Sequence, residues 1–196
     1  KQSRQFYEFI SRFKKVPIFG EIAFKFFDNL QKIPHFYPRR DLSKDTIYLK
    51  ELYSVIHKKR WGEHLINKLN ENPIPLITSF FAVAFMAEEF GYKGDIYCII
   101  CDADISRSWA PLQPEKSRIK YFSSCSRTSE RLELYCVRPE NIFLTGFPLP
   151  EANIGGENLE IIKEDLQHRL VNLDPHEHYM LRYGEVIHHA IGIEHV

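Results

Sequence analysis

Two carboxylates and two hydroxyls stand at the ends of two short apolar runs. Asp102 and Asp104 follow Ile96-Tyr97-Cys98-Ile99-Ile100-Cys101, and Thr78 and Ser79 lie near the end of Leu76-Ile77-Thr78-Ser79-Phe80. A carboxylate at the carboxyl end of a strand could accept a hydroxyl proton. Because the two differ by two in number, both could face one side of a continued strand, or splay apart in a loop. The structural alternative is that they cap the following loop and helix by Asx-type hydrogen bonds. Thr78 and Ser79 could bond a ligand from the neighbouring strand end, or cap the next helix. Cys98 and Cys101 form a C-x-x-C. Within one strand-like run their side chains leave opposite faces, so buried core thiols are expected. His176, His178, His188, His189 and His195 gather late in the chain, but no spacing brings a third ligand, and no metal is expected. There is no P-loop, no G-x-G-x-x-G after a strand and no G-x-S-x-G, so NTPase, dehydrogenase and hydrolase classes lack their signatures.

The elements that must carry these groups are legible around them. The run at 96–101 is apolar on both faces, as in a parallel sheet covered on both sides. Between the two runs, Ala82, Phe85, Met86 and Phe90 recur at helical spacing, and Gly91 and Gly94 punctuate the far end. Strand, helix, strand in this length is a βαβ unit with a right-handed crossover. Ligands in such sheets sit at the carboxyl ends of the strands. Further strands are expected at 119–123 and 142–146, with a helix over 126–135 between them that buries Leu132. Upstream, 41–72 reads as helix with two apolar stripes, broken near Gly62. Downstream, Ala152 to Gly156 resembles a hinge and 159–173 a helix, after which the tail reads as an unfinished beginning. The fold class is thus α/β, a Rossmann-like parallel sheet flanked by helices. One domain spans 1–150, with a helical portion at 1–72, and 151–196 holds a linker helix and the incomplete start of a second domain.

Lys+Arg and Asp+Glu are both 26, so net charge argues neither for nor against a polyanionic partner. Without a disulfide framework, a reducing compartment, the cytoplasm, is expected. No apolar segment approaches the ~20 residues that span a bilayer. The first forty residues interleave aromatics (Phe6, Tyr7, Phe9, Phe13) with Arg4, Arg12, Lys14 and Lys15, and two helical pieces are expected at 2–13 and 21–30. This composition suits peripheral contact with a membrane interface through 1–40, or simply the domain's own core with its lysines in water. No motif accompanies the charge that would point to nucleic acid.

Three fragments together resemble a known family. They are Leu76 to Ala82 with its Ala-rich helix, Cys101-Asp102-Ala103-Asp104 with the downstream Trp109-Ala110-Pro111, and Asn141-Ile142 leading to Gly146-Phe147-Pro148-Leu149-Pro150. In that order and spacing they are similar to the N-terminal, acceptor-side half of GT-B glycosyltransferases, nearest to monogalactosyldiacylglycerol synthase and other processive lipid glycosyltransferases. The resemblance covers roughly Trp61 to Pro150. It implies an acceptor, with a lipid as one candidate, bound near Thr78, Ser79, Phe80, Trp109, Gly146, Phe147 and Pro148. Asp102 or Asp104 would orient it or act as base, and Trp109 would stack on a sugar or headgroup, or plug its loop onto the core. The donor would be a nucleotide-sugar held by a second domain, with no cofactor of the chain's own. The family opens with a strand and a Gly-rich loop that this sequence lacks, so a piece of a larger chain is expected, inactive alone. Asp102-x-Asp104 also matches the D-x-D metal motif of the GT-A architecture; the Gly146-Phe147-Pro148 closure and the helix after it favour GT-B. The competing class is a non-catalytic Rossmann-like binding module.

Overall fold

A computed structural model of the chain describes residues 19–35, 41–174 and 176–191. The helix expected at 2–13, and most of the aromatic-basic stretch, lie outside them. The chain divides into two compact units, one up to Phe147 and one from Pro148.

The first unit opens with α1 (Phe19–Leu30), α2 (Ile47–Lys59) and α3 (Glu63–Leu69). Thr46 caps α2, its Oγ1 accepting from the Leu49 N–H at 3.1 Å. Leu49, Leu52 and Ile56 form the buried stripe of α2. The turn between α2 and α3 uses Arg60 and Gly62 at φ 52° and 92°. At Gly62 a Cβ would overlap the Met86 sulfur, so the position calls for glycine on both counts.

Four parallel strands follow: β1 (Leu76–Thr78), β2 (Ile96–Ile99), β3 (Lys120–Ser123) and β4 (Ile142–Leu144), side by side in the order β1-β2-β3-β4. The expected parallel sheet is therefore present, with each strand shorter than its apolar run. α4 (Phe81–Glu89) crosses from β1 to β2, and α5 (Ser126–Leu134) from β3 to β4. A short 3-10 turn, Arg107–Trp109, lies in the β2–β3 connection. Every step along the sheet goes the same way, so right-handed crossovers bring both helices to one face. That face carries Ile96, Cys98, Ile100, Ile119 and Tyr121, all fully buried. α4 is buried around nearly its whole girth; Phe81 and Phe85 each contribute roughly 2–3 kcal/mol of burial. Phe85 stacks on Tyr53 of α2, with centroids 5.1 Å apart.

The other face differs from the expectation of a strand covered on both sides. Tyr97 and Ile99 are only half-buried, and Ile77 and Phe143 are exposed. Tyr97 stacks on Phe122, which meets Phe143 edge-on, so this face is an aromatic ladder across three strands.

The second unit holds a 3-10 turn at Glu151–Asn153, then α6 (Glu160–Leu173) and α7 (His178–Ile191). Asp174 starts α7, its Oδ2 accepting from the Tyr179 and Met180 N–H groups at 2.8 Å each.

Candidate functional site

In the sheet register Thr78 pairs with Cys98, Ile99 with Phe122 and Ser123 with Leu144. The carboxyl ends of all four strands therefore lie along one edge. Four segments leave from it: Ser79-Phe80, the loop from Ile100 to Ser106, Ser124-Cys125, and Thr145 to Phe147. Most residues singled out from the sequence thus share this edge. Trp109 does not: it is 7% exposed, packs on Phe81 at 5.4 Å, and its carbonyl accepts from the Tyr121 hydroxyl. Pro148 opens the second unit.

Asp102 and Asp104 splay apart once β2 has ended, and their environments are opposite. The Asp102 side chain is exposed, and its carboxylate has no hydrogen-bond or ion-pair partner among the described residues. Its backbone is held, because the Ser124 hydroxyl donates to the Asp102 carbonyl. Asp104 is engaged on both oxygens. Oδ1 accepts from Arg131 Nε at 2.7 Å and from the Ile105 N–H at 2.9 Å. Oδ2 accepts from Arg127 Nε at 2.7 Å and Arg131 Nη2 at 3.1 Å. Burial would raise its pKa, but the hydrogen bonds from Arg131 and Arg127 outweigh that and hold it below the usual carboxylate value. Arg131 is fully buried and also donates to the Pro34 and His35 carbonyls. It ties the stretch after α1 to this edge. Ser106 and Ser108 add to the tie by donating to the Leu30 carbonyl at the end of α1.

Thr78 turns its hydroxyl onto its own chain, accepting from the Phe80 N–H at 3.1 Å and lying 3.2 Å from the Phe80 carbonyl. Phe80 is the N-cap of α4 and supplies no side-chain cap bond. Ser79 and Phe80 are exposed beside it. Gly146 sits at φ 86°, and its N–H, like that of Thr145, donates to the Ser123 carbonyl, which fixes the chain as it leaves β4.

The β3–α5 turn adds a group that sequence reasoning missed. Cys125 caps α5: its Sγ accepts from the Thr128 N–H, and Thr128 Oγ1 accepts from the Cys125 N–H. Ser123, Ser124 and Ser129 surround it with hydroxyls. Burial alone would raise the thiol pKa. Backbone donors at the helix start and the neighbouring hydroxyls reverse this and lower it. The signal available was the run Ser123-Ser124-Cys125-Ser126 placed directly between a strand and a helix.

Cys98 is buried and its thiol is pushed up to about 12, whereas Cys101 is exposed because β2 ends at Ile99. The C-x-x-C is thus split between core and solvent, and Cys101 is not the core thiol expected of it. Among the described residues, no group of three or more His, Cys, Asp and Glu is arranged to hold a metal ion. No helix there is long and apolar enough to cross a membrane. Compared with known proteins, the chain matches no family model, no curated protein and no solved structure.

Proposed function

We propose that this chain is the acceptor-side half of a GT-B glycosyltransferase, with the acceptor hydroxyl held at the carboxyl edge of the sheet. The observation that carries this is the exposed carboxylate of Asp102 just beyond β2, unpaired among the described residues, its backbone held by Ser124. Asp102 takes the hydroxyl proton, and Asp104 positions the loop through Arg131. Ser79 and Phe80 leave the neighbouring strand β1, and Gly146 and Phe147 leave β4, along the same edge. A nucleotide-sugar supplied by a second domain is the donor. A lipid acceptor and contact of residues 1–40 with the membrane interface extend the proposal, and flotation with anionic liposomes at low salt tests that part.

The decisive experiment is transfer from a panel of UDP-sugars by the full-length protein, compared with its Asp102→Asn form. Loss of a positioned base should lower turnover by about 10²–10⁴-fold. Stability should stay within about 0.5 kcal/mol, as for an exposed, unpartnered side chain. Unchanged turnover would sink the assignment. The second reading, a non-catalytic binding module, is favoured by the full engagement of Asp104 in structural ion pairs. It would hold if no UDP-sugar were consumed.

A further inference from the structure

A concave site lies away from the strand ends, between α1, α2 and the turn into α3. It is an open groove of about 590 Å³. Phe26 and Phe27 of α1 form one wall, Leu52 and Val55 of α2 the other, and Trp61 stands at one end. Phe27, Val55 and Trp61 are 46%, 43% and 45% exposed, so the wall is apolar surface left in water. The same end carries Lys59, Arg60 and His64, and no described lining residue is acidic. Glu63 neutralises Arg60 from outside the lining. Lys59, exposed and without an ion pair among the described residues, therefore supplies the net positive charge.

A site that is apolar along its length and cationic at one end matches one ligand chemistry. We propose that this groove binds a single-chain anionic amphiphile, its tail along Phe27, Leu52 and Val55 and its head at Lys59 and His64. The volume is that of a ligand pocket rather than of a flat interfacial patch. The lining offers few polar groups to hydrogen-bond a sugar, while an alkyl tail needs none. A headgroup carboxylate or phosphate at Lys59 gains a charge-assisted contact at the rim of a low-dielectric wall. The assignment is independent of the glycosyltransferase proposal and can stand or fall without it.

The chain's two tryptophans make the test direct, because Trp61 is exposed and Trp109 is buried. The 196-residue chain is titrated with dodecanoate below its critical micelle concentration while tryptophan emission is followed. The expected result is a saturable blue shift that is lost in Trp61→Phe, where Trp109 alone remains. Dodecyltrimethylammonium, with the same tail and the opposite charge, should bind at least about tenfold more weakly, and Lys59→Glu should weaken dodecanoate by about tenfold. Val55→Asp, on the exposed wall, should abolish the shift while circular dichroism stays unchanged. Equal response to both headgroups, indifference to Lys59→Glu and Val55→Asp, or a response only with phosphatidylglycerol vesicles would each overturn the assignment.

Discussion

Replacing Asp104 by Asn tests whether this carboxylate holds the fold, apart from the base role proposed for Asp102. The substitution keeps the shape and removes the charge. Oδ1 can still accept from Arg131 Nε and the Ile105 N–H. The amide nitrogen that replaces Oδ2 would face two donors, Arg127 Nε and Arg131 Nη2. Arg127 is half exposed, so its share of the loss is about 0.5 kcal/mol. Arg131 has 0% exposure and loses its counter-charge, which costs about 2–3 kcal/mol. The sum is near 3 kcal/mol at neutral pH. Urea unfolding followed by the fluorescence of Trp109, which sits in the core of the first unit, would read it as a midpoint lower by about 1.5 M. Adding Arg131→Met to the Asn variant should cost less than Arg131→Met alone, because the ion pair between the two side chains is already broken. A loss below about 0.5 kcal/mol for Asp104→Asn would refute the assignment of this ion pair as a structural tie.

The same pair fixes a pH dependence. The folded pKa of Asp104 is lowered from the model-compound 3.8, so the unfolded chain binds the proton more tightly. The stabilisation is complete above the unfolded pKa and is lost as pH falls through the folded one. The gap between wild type and Asp104→Asn should therefore be constant near neutrality and close below about pH 4.

Gly62→Ala should cost about 2 kcal/mol in the same unfolding assay, from the positive φ and the overlap with Met86 together. Gly91→Ala, at φ 62° but with nothing within 4 Å of the new methyl, should cost only about 1 kcal/mol. Alkylation of the native protein, read by peptide mass spectrometry, should modify Cys101 and Cys136 and spare Cys98 until the protein unfolds. Cys125 should react at a lower pH than an ordinary cysteine thiol, because donors at the start of α5 favour its thiolate.

The strands were legible because each is an apolar run stopped by proline, glycine or a polar cluster. Their lengths were not. Cys101 and Thr145 read as strand, yet the ladders end at Ile99 and Leu144. Burial also misled. Tyr97, Ile99, Phe122 and Phe143 look like a second buried face, and composition cannot distinguish a covered face from an aromatic ladder half in water. The site was partly visible, since the carboxylates and hydroxyls do share one edge. What could not be seen was Asp104's partner, Arg131, from a helix two elements later. The cap on α5 was missed because cysteine is not among the usual capping residues. The helix α7 was missed because its cap, Asp174, lies several residues upstream.

The contrast between the two aspartates follows from where β2 stops. Had the strand run on through Asp104, both carboxylates would have shared one side. Ending at Ile99, the chain turns so that Asp104 meets a buried guanidinium while Asp102 stays in water. Asp104 already accepts four hydrogen bonds, close to the capacity of a carboxylate. A divalent cation shared between the two would have to displace a guanidinium and break the buried Arg131–Asp104 ion pair, at several kcal/mol. A sugar-nucleotide held by a metal on this D-x-D is therefore disfavoured by the ion pair itself. The proton transfer proposed for Asp102 asks nothing of Asp104 beyond the Ile105 N–H bond and the Arg131 tie that already fix the loop.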